Sequence, residues 1–167
     1  MLRYISAAMI FAVCALFGMS KAWDIKSRLG FLQNMKYDIE QIKNQIEFTL
    51  RPIKSLISDY SNFKDAEIWR LLCDNMDGSS AAGDAWRMVE SSRQEFMRLS
   101  AEERRILADF AKGLGTSDLS GQLRQAELAI LQLTGAIDAL SKELSVKERL
   151  YSSLGALTGL AAAILIL

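Results

Sequence analysis

The sequence has no histidine, one proline and two cysteines among its 167 residues. Without histidine, the chain lacks the commonest acid–base catalyst and metal ligand, and no nucleophile with a neighbouring base is visible. Its 20 basic side chains balance 20 acidic ones, so no net charge attracts nucleic acid or an acidic substrate. The sequence therefore predicts no enzyme, no bound metal or cofactor, no small-molecule substrate and no nucleic-acid binding.

The scarcity of proline favours helices, because proline removes a backbone donor and breaks helix interiors. Half of the residues are hydrophobic, and a chain of this length suffices for one ordinary domain plus membrane segments. Cys14 lies in an apolar run and Cys73 in the predicted soluble domain, so no disulfide is expected between them. The predicted fold class is all-α.

Two long stretches carry apolar residues at alternating spacings of three and four, which places them on one face of a helix. In residues 27–50 these are Leu32, Met35, Ile39, Ile42 and Ile46. In the stretch that begins near residue 118 they are Leu123, Ala126, Ile130, Leu133, Ile137, Leu140 and Leu144. Two stripes with the same period predict two helices that pack antiparallel.

Four shorter helices are predicted between the two long ones, over residues 52–60, 64–76 and 81–92 and after Ser100. Pro52 suits a first helical turn, and the pair Ser100 and Glu103 has the pattern of a capping box. Ser117 or Asp118 then caps the last helix. The residues predicted to face the core are Ile53, Leu56, Ile57, Ile68, Trp69, Leu71, Leu72, Ala85, Trp86, Val89, Ile106, Leu107, Phe110 and Ala111. Together these elements predict an antiparallel six-helix bundle.

The carboxyl end is an uncharged apolar segment. As a helix, residues 150–167 would cover about 27 Å, close to the thickness of a bilayer's hydrocarbon core. Gly155, Gly159 and Ala163 form a stripe of small residues that would let two membrane helices approach closely. Pairing through this stripe and the absence of any special role both stay open.

The amino end is either a retained membrane anchor or a signal peptide, since the apolar run at residues 4–20 is short for a span. The sequence before Lys21 is a poor cleavage site, Cys14 lacks the small preceding residue of a lipoprotein, and positive charge is denser after the run than before it. These observations favour an anchor with the domain in the cytoplasm. The predicted organisation is an anchor or signal-like segment at 1–22, a cytoplasmic helical bundle at 23–149 and a transmembrane helix at 150–167.

Several of these features together resemble the stage III sporulation protein AB family of endospore-forming bacteria. The residues that carry the resemblance are the turn Leu114, Gly115, Thr116, Ser117 and Asp118, then Gln122, Leu154 and Gly155, with Phe48 shortly before Pro52 and Ile53. The resemblance covers the whole length, from the amino-terminal anchor to the carboxyl-terminal span. Arg51 stands where the family more often has threonine.

The resemblance implies a bundle similar to the cytoplasmic domain of the inner-membrane platform protein of type II secretion and type IV pilus systems. The implied role is a non-enzymatic platform subunit of a channel between mother cell and forespore, in the mother-cell membrane. The implied partners are a secretion-type ATPase, stage III sporulation protein AA, other channel subunits, the lipid bilayer and further copies of the chain. The alternative is an exported or membrane-tethered helical scaffold or binding module with no ATPase partner.

Overall fold

The computed structural model describes residues 2–48, 53–59, 63–76, 82–115 and 118–166, with side chains from residue 23 to residue 150 except at 53, 54 and 148. These ranges contain the α-helices α1 (Leu2–Phe48), α2 (Ile53–Ile57), α3 (Ala66–Met76), α4 (Ala82–Ser92), α5 (Ala101–Gly113) and α6 (Leu119–Ile166). A 3₁₀ helix, Gln94–Arg98, lies between α4 and α5. The predicted all-α class and the six α-helices are confirmed for the described residues.

The chain divides into two compact units. One is formed by Met1–Leu29 with Asp138–Leu167, and the other is Gly30–Ile137. The second unit, called the helical unit below, holds residues 30–48 of α1, all of α2 to α5, and residues 119–137 of α6.

The predicted stripe of α1 forms one wall of the core of the helical unit. Leu32, Met35, Ile39, Ile42 and Ile46 are all between 0 and 2% exposed. On α6, Ala126, Ala129 and Leu133 are buried, and Lys43 Nζ of α1 lies 2.9 Å from Glu127 Oε1 of α6. The α1 stripe is therefore buried, as its spacing predicts. Of the predicted α6 stripe, Ala126, Leu133 and Leu140 are buried, and its other members are half-buried.

A chain of aromatic rings runs through the same core. The Trp69 ring of α3 lies 6.2 Å from that of Trp86 in α4 and 6.4 Å from that of Phe110 in α5, measured between centroids. Phe96 of the 3₁₀ helix lies 5.5 Å from Trp86 and 5.3 Å from Phe31 of α1. Several contacts are edge-on, a favoured aromatic geometry, and they join five elements into one core.

The helix boundaries follow the local sequence closely. At α5 the Ser100 side chain accepts a hydrogen bond from the Glu103 backbone N–H (3.2 Å), while the Ser100 N–H donates to Glu103 Oε2 (2.8 Å), so the predicted capping box is confirmed.

Of the predicted core residues, Leu71 is half-buried and the Ile53 side chain lies outside the described residues. The remaining predicted core residues of the four short helices are buried.

Helix α1 runs without a break from Leu2, so the apolar run and the amphipathic stripe belong to one helix. One feature of the fold differs from the prediction. The 3₁₀ helix Gln94–Arg98 was not predicted, since five residues show no helical period, yet its Phe96 is 1% exposed.

Among the described residues, no helix combines the length and the apolar character that crossing a bilayer requires. The predicted amino-terminal anchor and the predicted carboxyl-terminal span fall almost entirely on residues whose side chains lie outside the described part, as do Gly155, Gly159 and Ala163. Both segments therefore stay predictions.

Candidate functional site

The polar centre of the helical unit is the carboxylate of Asp38, which is 0% exposed. Its Oδ1 accepts a hydrogen bond from the backbone N–H of Lys64 at 2.7 Å. Its Oδ2 accepts from the backbone N–H of Asp65 at 3.0 Å and from Trp69 Nε1 at 2.8 Å. A buried carboxylate is costly unless it is hydrogen-bonded, and these three donors meet that requirement.

Asp38 acts as a cap that one helix supplies to another. Lys64 and Asp65 immediately precede Ala66, the first residue of α3, and the first amides of a helix have no partner within it. The negative carboxylate also lies at the positive end of the α3 dipole. Asp38 thereby fixes the start of α3 against α1.

Sequence reasoning did not single out Asp38. The one signal was a carboxylate between Met35 and Ile39, on the border of an otherwise apolar helix stripe. Such a residue is usually a solvent-facing border position. Its donors are 26 to 31 residues away in sequence, and no local pattern connects them to it.

Asp65 lies beside this cap in a less favourable environment. Burial, and next the negative charge of Asp38, raise the pKa of the Asp65 carboxyl to about 6, although a hydrogen bond with Asn34 lowers it. The Asp65 Oδ2 atom is buried and has no hydrogen-bond partner among the described residues. The ionised form of Asp65 therefore destabilises the fold next to the Asp38 cap.

Arg93 connects the same region to the 3₁₀ helix. Its guanidinium lies 2.8 Å from Glu67 of α3 and 3.2 Å from Glu95. The hydrogen bond to Glu67 is the largest cause of the raised pKa of Arg93. Because both glutamates are partly exposed, these pairs position the segment more than they stabilise it.

The residues that carry the family resemblance, Leu114 to Asp118 and Gln122, are called the family turn motif below, and the first of them follow the end of α5. Leu114 is 3% exposed, and its N–H donates to the carbonyl of Ala111 at 3.2 Å. Gly115 has φ of 76°, the left-handed conformation that glycine adopts without steric cost. Ser117 lies outside the described residues, so of the two predicted caps only Asp118 can be located.

Asp118 caps the first turn of α6. Its Oδ1 accepts from the Gly121 backbone N–H at 3.0 Å, and its Oδ2 accepts from Ser120 Oγ at 2.7 Å. These hydrogen bonds, that of Ser120 first, lower the pKa of Asp118. The Gln122 N–H donates to the Asp118 carbonyl at 3.0 Å, so the motif residues Asp118 and Gln122 both contribute to the start of the helix.

A second close contact holds α5 and α6 at this turn. A β-carbon added to Gly113 would lie 1.7 Å from Gln125 Oε1, so the backbone of α5 and the side chain of Gln125 share this space. Gln125 Nε2 donates to the carbonyl of Asp109 at 3.3 Å. The turn is thus fixed by a left-handed glycine, a helix cap and a contact between helices.

The hydrogen bonds and ion pairs of these polar groups connect one helix to the next within the fold. In the part of the chain that the structure describes, no three metal-ligating side chains of the histidine, cysteine or carboxylate types lie together. Two side chains of the metal-ligating types have other environments: the Cys73 thiol is buried in α3, and the Asp84 carboxylate of α4 forms an ion pair with Arg87. The polar groups described above therefore serve to position the helices of this unit.

Comparison with known proteins identifies the family. The family model described as stage III sporulation protein AB matches residues 3–167. The chain belongs to the stage III sporulation protein AB family. It is therefore a sporulation protein.

A solved structure of a family member, a stage III sporulation protein AB (SpoIIIAB), is similar to this chain with a TM-score of 0.60 at 18% sequence identity. The similarity covers 71% of this chain and 97% of that one. At this identity the likeness shows a shared fold. No individually curated protein sequence matches the chain.

The hydrogen bonds of Asp38 predict a large loss of stability on Asp38→Asn. The amide keeps the shape but turns an N–H₂ group towards donors, so we expect the free energy of unfolding to fall by about 2 to 4 kcal/mol. Urea titration of the full chain in mild detergent, followed by tryptophan fluorescence, measures it. The matched control on α1 is Glu40→Gln, which removes only a partly exposed pair with Lys36 and should cost less than about 0.5 kcal/mol. Equal losses for both variants would contradict the role of Asp38.

The raised pKa of Asp65 predicts that the free energy of unfolding depends on pH. Between its unfolded pKa of 3.8 and its folded pKa of about 6, the folded chain binds more protons than the unfolded chain. The contribution of Asp65 to the free energy of unfolding therefore falls as pH rises through this window. Asp65→Asn removes that fall, so the variant should gain stability relative to the parent between pH 4 and pH 7.

Urea titrations at several pH values measure this difference. The control is Asp74→Asn, which changes an exposed carboxylate on α3, the helix that Asp65 precedes, and should leave the parent's pH profile unchanged in shape. If the Asp65→Asn difference stays flat over the window, the interpretation of Asp65 is wrong.

Proposed function

We propose that this chain is a non-enzymatic membrane platform subunit of a secretion-like sporulation channel between mother cell and forespore. In this role it couples a cytoplasmic secretion-type ATPase to the membrane complex. The observation that carries the proposal is that the two longest helices, α1 and α6, run without interruption into the apolar ends of the chain. Membership of the sporulation family supplies the process in which the platform acts.

Long unbroken helices suit a part that transmits force or position. α1 and α6 have 47 and 48 residues, which corresponds to about 70 Å each. The α1 stripe, together with Ala126 and Leu133 of α6, is buried in a core that also contains the Asp38 cap and the aromatic chain. A displacement applied to the helical unit therefore acts directly on the two helices that lead towards the membrane.

The distribution of charge supports a cytoplasmic position in the mother cell. Lys21, Lys26 and Arg28 follow the first apolar run, and Lys142, Lys147 and Arg149 lie before the last one. Positive residues that flank membrane segments favour the cytoplasmic side. Both ends therefore favour the same side for the helical unit.

The proposed partners are an ATPase like stage III sporulation protein AA, other channel subunits, the lipid bilayer and further copies of this chain. Exposed apolar side chains are available for such contacts. Met88 on α4 and Met97 on the 3₁₀ helix are 53% and 80% exposed, and Leu128 and Leu131 on α6 are 52% and 71% exposed. Methionine and leucine at such exposure favour protein–protein contacts over a purely solvated surface.

The membrane position is tested with a single exposed cysteine, Met97→Cys, in a full chain that also carries Cys14→Ser and Cys73→Ala. We expect a membrane-impermeant maleimide to label it only after the cells are lysed, because the helical unit is on the cytoplasmic side. Lysed cells are the matched control for the reactivity of the cysteine. Labelling of intact cells would contradict the proposal and favour the exported binding module.

Coupling is tested by binding of the full chain, reconstituted in lipid nanodiscs, to the purified ATPase. We expect saturable binding with Kd in the micromolar range, about −8 kcal/mol, and no binding to empty nanodiscs. Absence of binding at tens of micromolar would contradict direct coupling.

A further inference from the structure

The unit formed by Met1–Leu29 and Asp138–Leu167 contains the beginning of α1 and the end of α6. Within it, Glu143 of α6 interacts with charges of both helices. Lys147 Nζ lies 2.8 Å from Glu143 Oε1, and the hydrogen bond of Lys147, followed by the charges of Lys147 and Arg28, lowers the pKa of the Glu143 carboxyl. Arg28 of α1 is therefore close enough to Glu143 for their charges to interact, which aligns the two helices at this level.

From this level both helices reach an apolar run after a similar distance. Ser20, the last residue of the first run, is eight residues before Arg28, and Leu150, the first residue of the last run, is seven residues after Glu143. These stretches of helix are about 12 Å and about 10 Å long. The two apolar runs therefore begin at nearly the same height along the helix pair, as two segments that enter one bilayer require.

Exposed side chains near this border combine apolar surface with positive charge. On α1, Trp23 is 72% exposed, and Lys26, three residues later, is exposed as well. On α6, Val146 is 58% exposed, and Arg149, three residues later, is also exposed. Residues three apart lie on one face of a helix. These four residues are called the collar below.

The collar lies in a positively charged part of the chain. Residues 21–28 and 142–149 hold six basic and three acidic side chains, a net charge of +3 in a chain whose total is zero. Among the residues that the structure describes, neither Lys26 nor Arg149 has an ion pair. The exposed carboxylate of Asp24 opposes their charge on α1. The surface that remains is complementary to negative charge.

We propose that the collar binds the headgroups of anionic phospholipids, with Lys26 and Arg149 at the phosphate oxygens and the Trp23 ring at the boundary between headgroups and acyl chains. This inference rests on the proposed function, in which both apolar runs enter the bilayer. Indole rings favour that boundary, and each lysine or arginine near an anionic membrane surface gains about fivefold in affinity. The long stems of lysine and arginine let their charged ends reach the headgroups.

The distances along the helices agree with this role. Lys26 is six residues from Ser20, about 9 Å along α1, and Arg149 directly precedes Leu150. Both lie within the range of about 10 Å over which charges act at 0.1 M salt. Arg124, an exposed arginine of the same helix α6, is about 39 Å from Leu150 along the helix. It is therefore too distant to respond to the charge of the membrane.

The test uses the full chain in vesicles of phosphatidylglycerol and phosphatidylcholine, one of them brominated at the headgroup end of its acyl chains. Bromine quenches nearby indoles, and Trp69 and Trp86 are buried in the helical unit, so quenching reports the lipid beside Trp23. We expect phosphatidylglycerol to be preferred by about fivefold at 0.1 M salt. The preference should disappear at about 1 M salt, where charges act over only about 3 Å. Trp23→Phe should remove the quenching.

Substitutions of single charges test the collar directly. Lys26→Gln and Arg149→Gln should each reduce the preference, whereas Asp24→Asn should increase it, because it removes the opposing charge. Arg124→Gln is the matched control and should leave the preference unchanged. The inference is overturned if the parent shows no preference, if quenching persists in Trp23→Phe, or if Arg124→Gln lowers the preference as much as Arg149→Gln.

Flotation of the same vesicles separates this inference from the proposed function. A chain that floats with the vesicles but shows no preference between the two lipids contradicts only the binding of anionic headgroups. A chain that does not float with them contradicts both.

Discussion

The start of α3 depends on a carboxylate that belongs to α1. Asp38 is fully buried and accepts three hydrogen bonds, two from the backbone just before α3 and one from Trp69. Apolar stripes bury surface but leave helices able to slide by a turn, because many ridges fit many grooves. A buried acceptor with three fixed donors permits one register. Asp38 therefore fixes the register between α1 and the start of α3.

Trp69 connects the Asp38 hydrogen bonds to the aromatic core. The indole N–H that bonds to Asp38 sets the ring orientation, and the ring touches those of Phe63, Trp86 and Phe110. Trp86 offers the contrast, because its Nε1 is buried with no partner among the described residues. Its ring is held by packing alone, against Trp69 and Phe96. The orientation of the whole ring chain therefore depends on the one indole that has a hydrogen bond.

The sequence predicted correctly those features that depend on residues close together in the chain. The stripes of α1 and α6 and the Ser100–Glu103 capping box depend on residues three or four apart, so the sequence alone reveals them. Asp38, Asp65 and the 3₁₀ helix depend on partners brought close only by the fold, and no spacing indicates those partners. Leu128 and Leu131 are a different case, since their spacing was visible but was subordinate to the stronger stripe on the other side of α6. The turn residues Gly115 and Asp118 were found through the family resemblance and the cap pattern, and their geometry explains both.

The two sides of α6 lie in different environments within the helical unit. Its inner side must match a core of fixed shape, and Leu133 at 0% exposed leaves little freedom there. Its outer side, at Leu131 and Gly135, meets no such constraint within the helical unit. Because a helix is stiff, a force applied to the outer side is transmitted to the inner side, and from there to α1 through Lys43 and Glu127. A force on the exposed side of α6 would thus act on the same core that Asp38 holds in register.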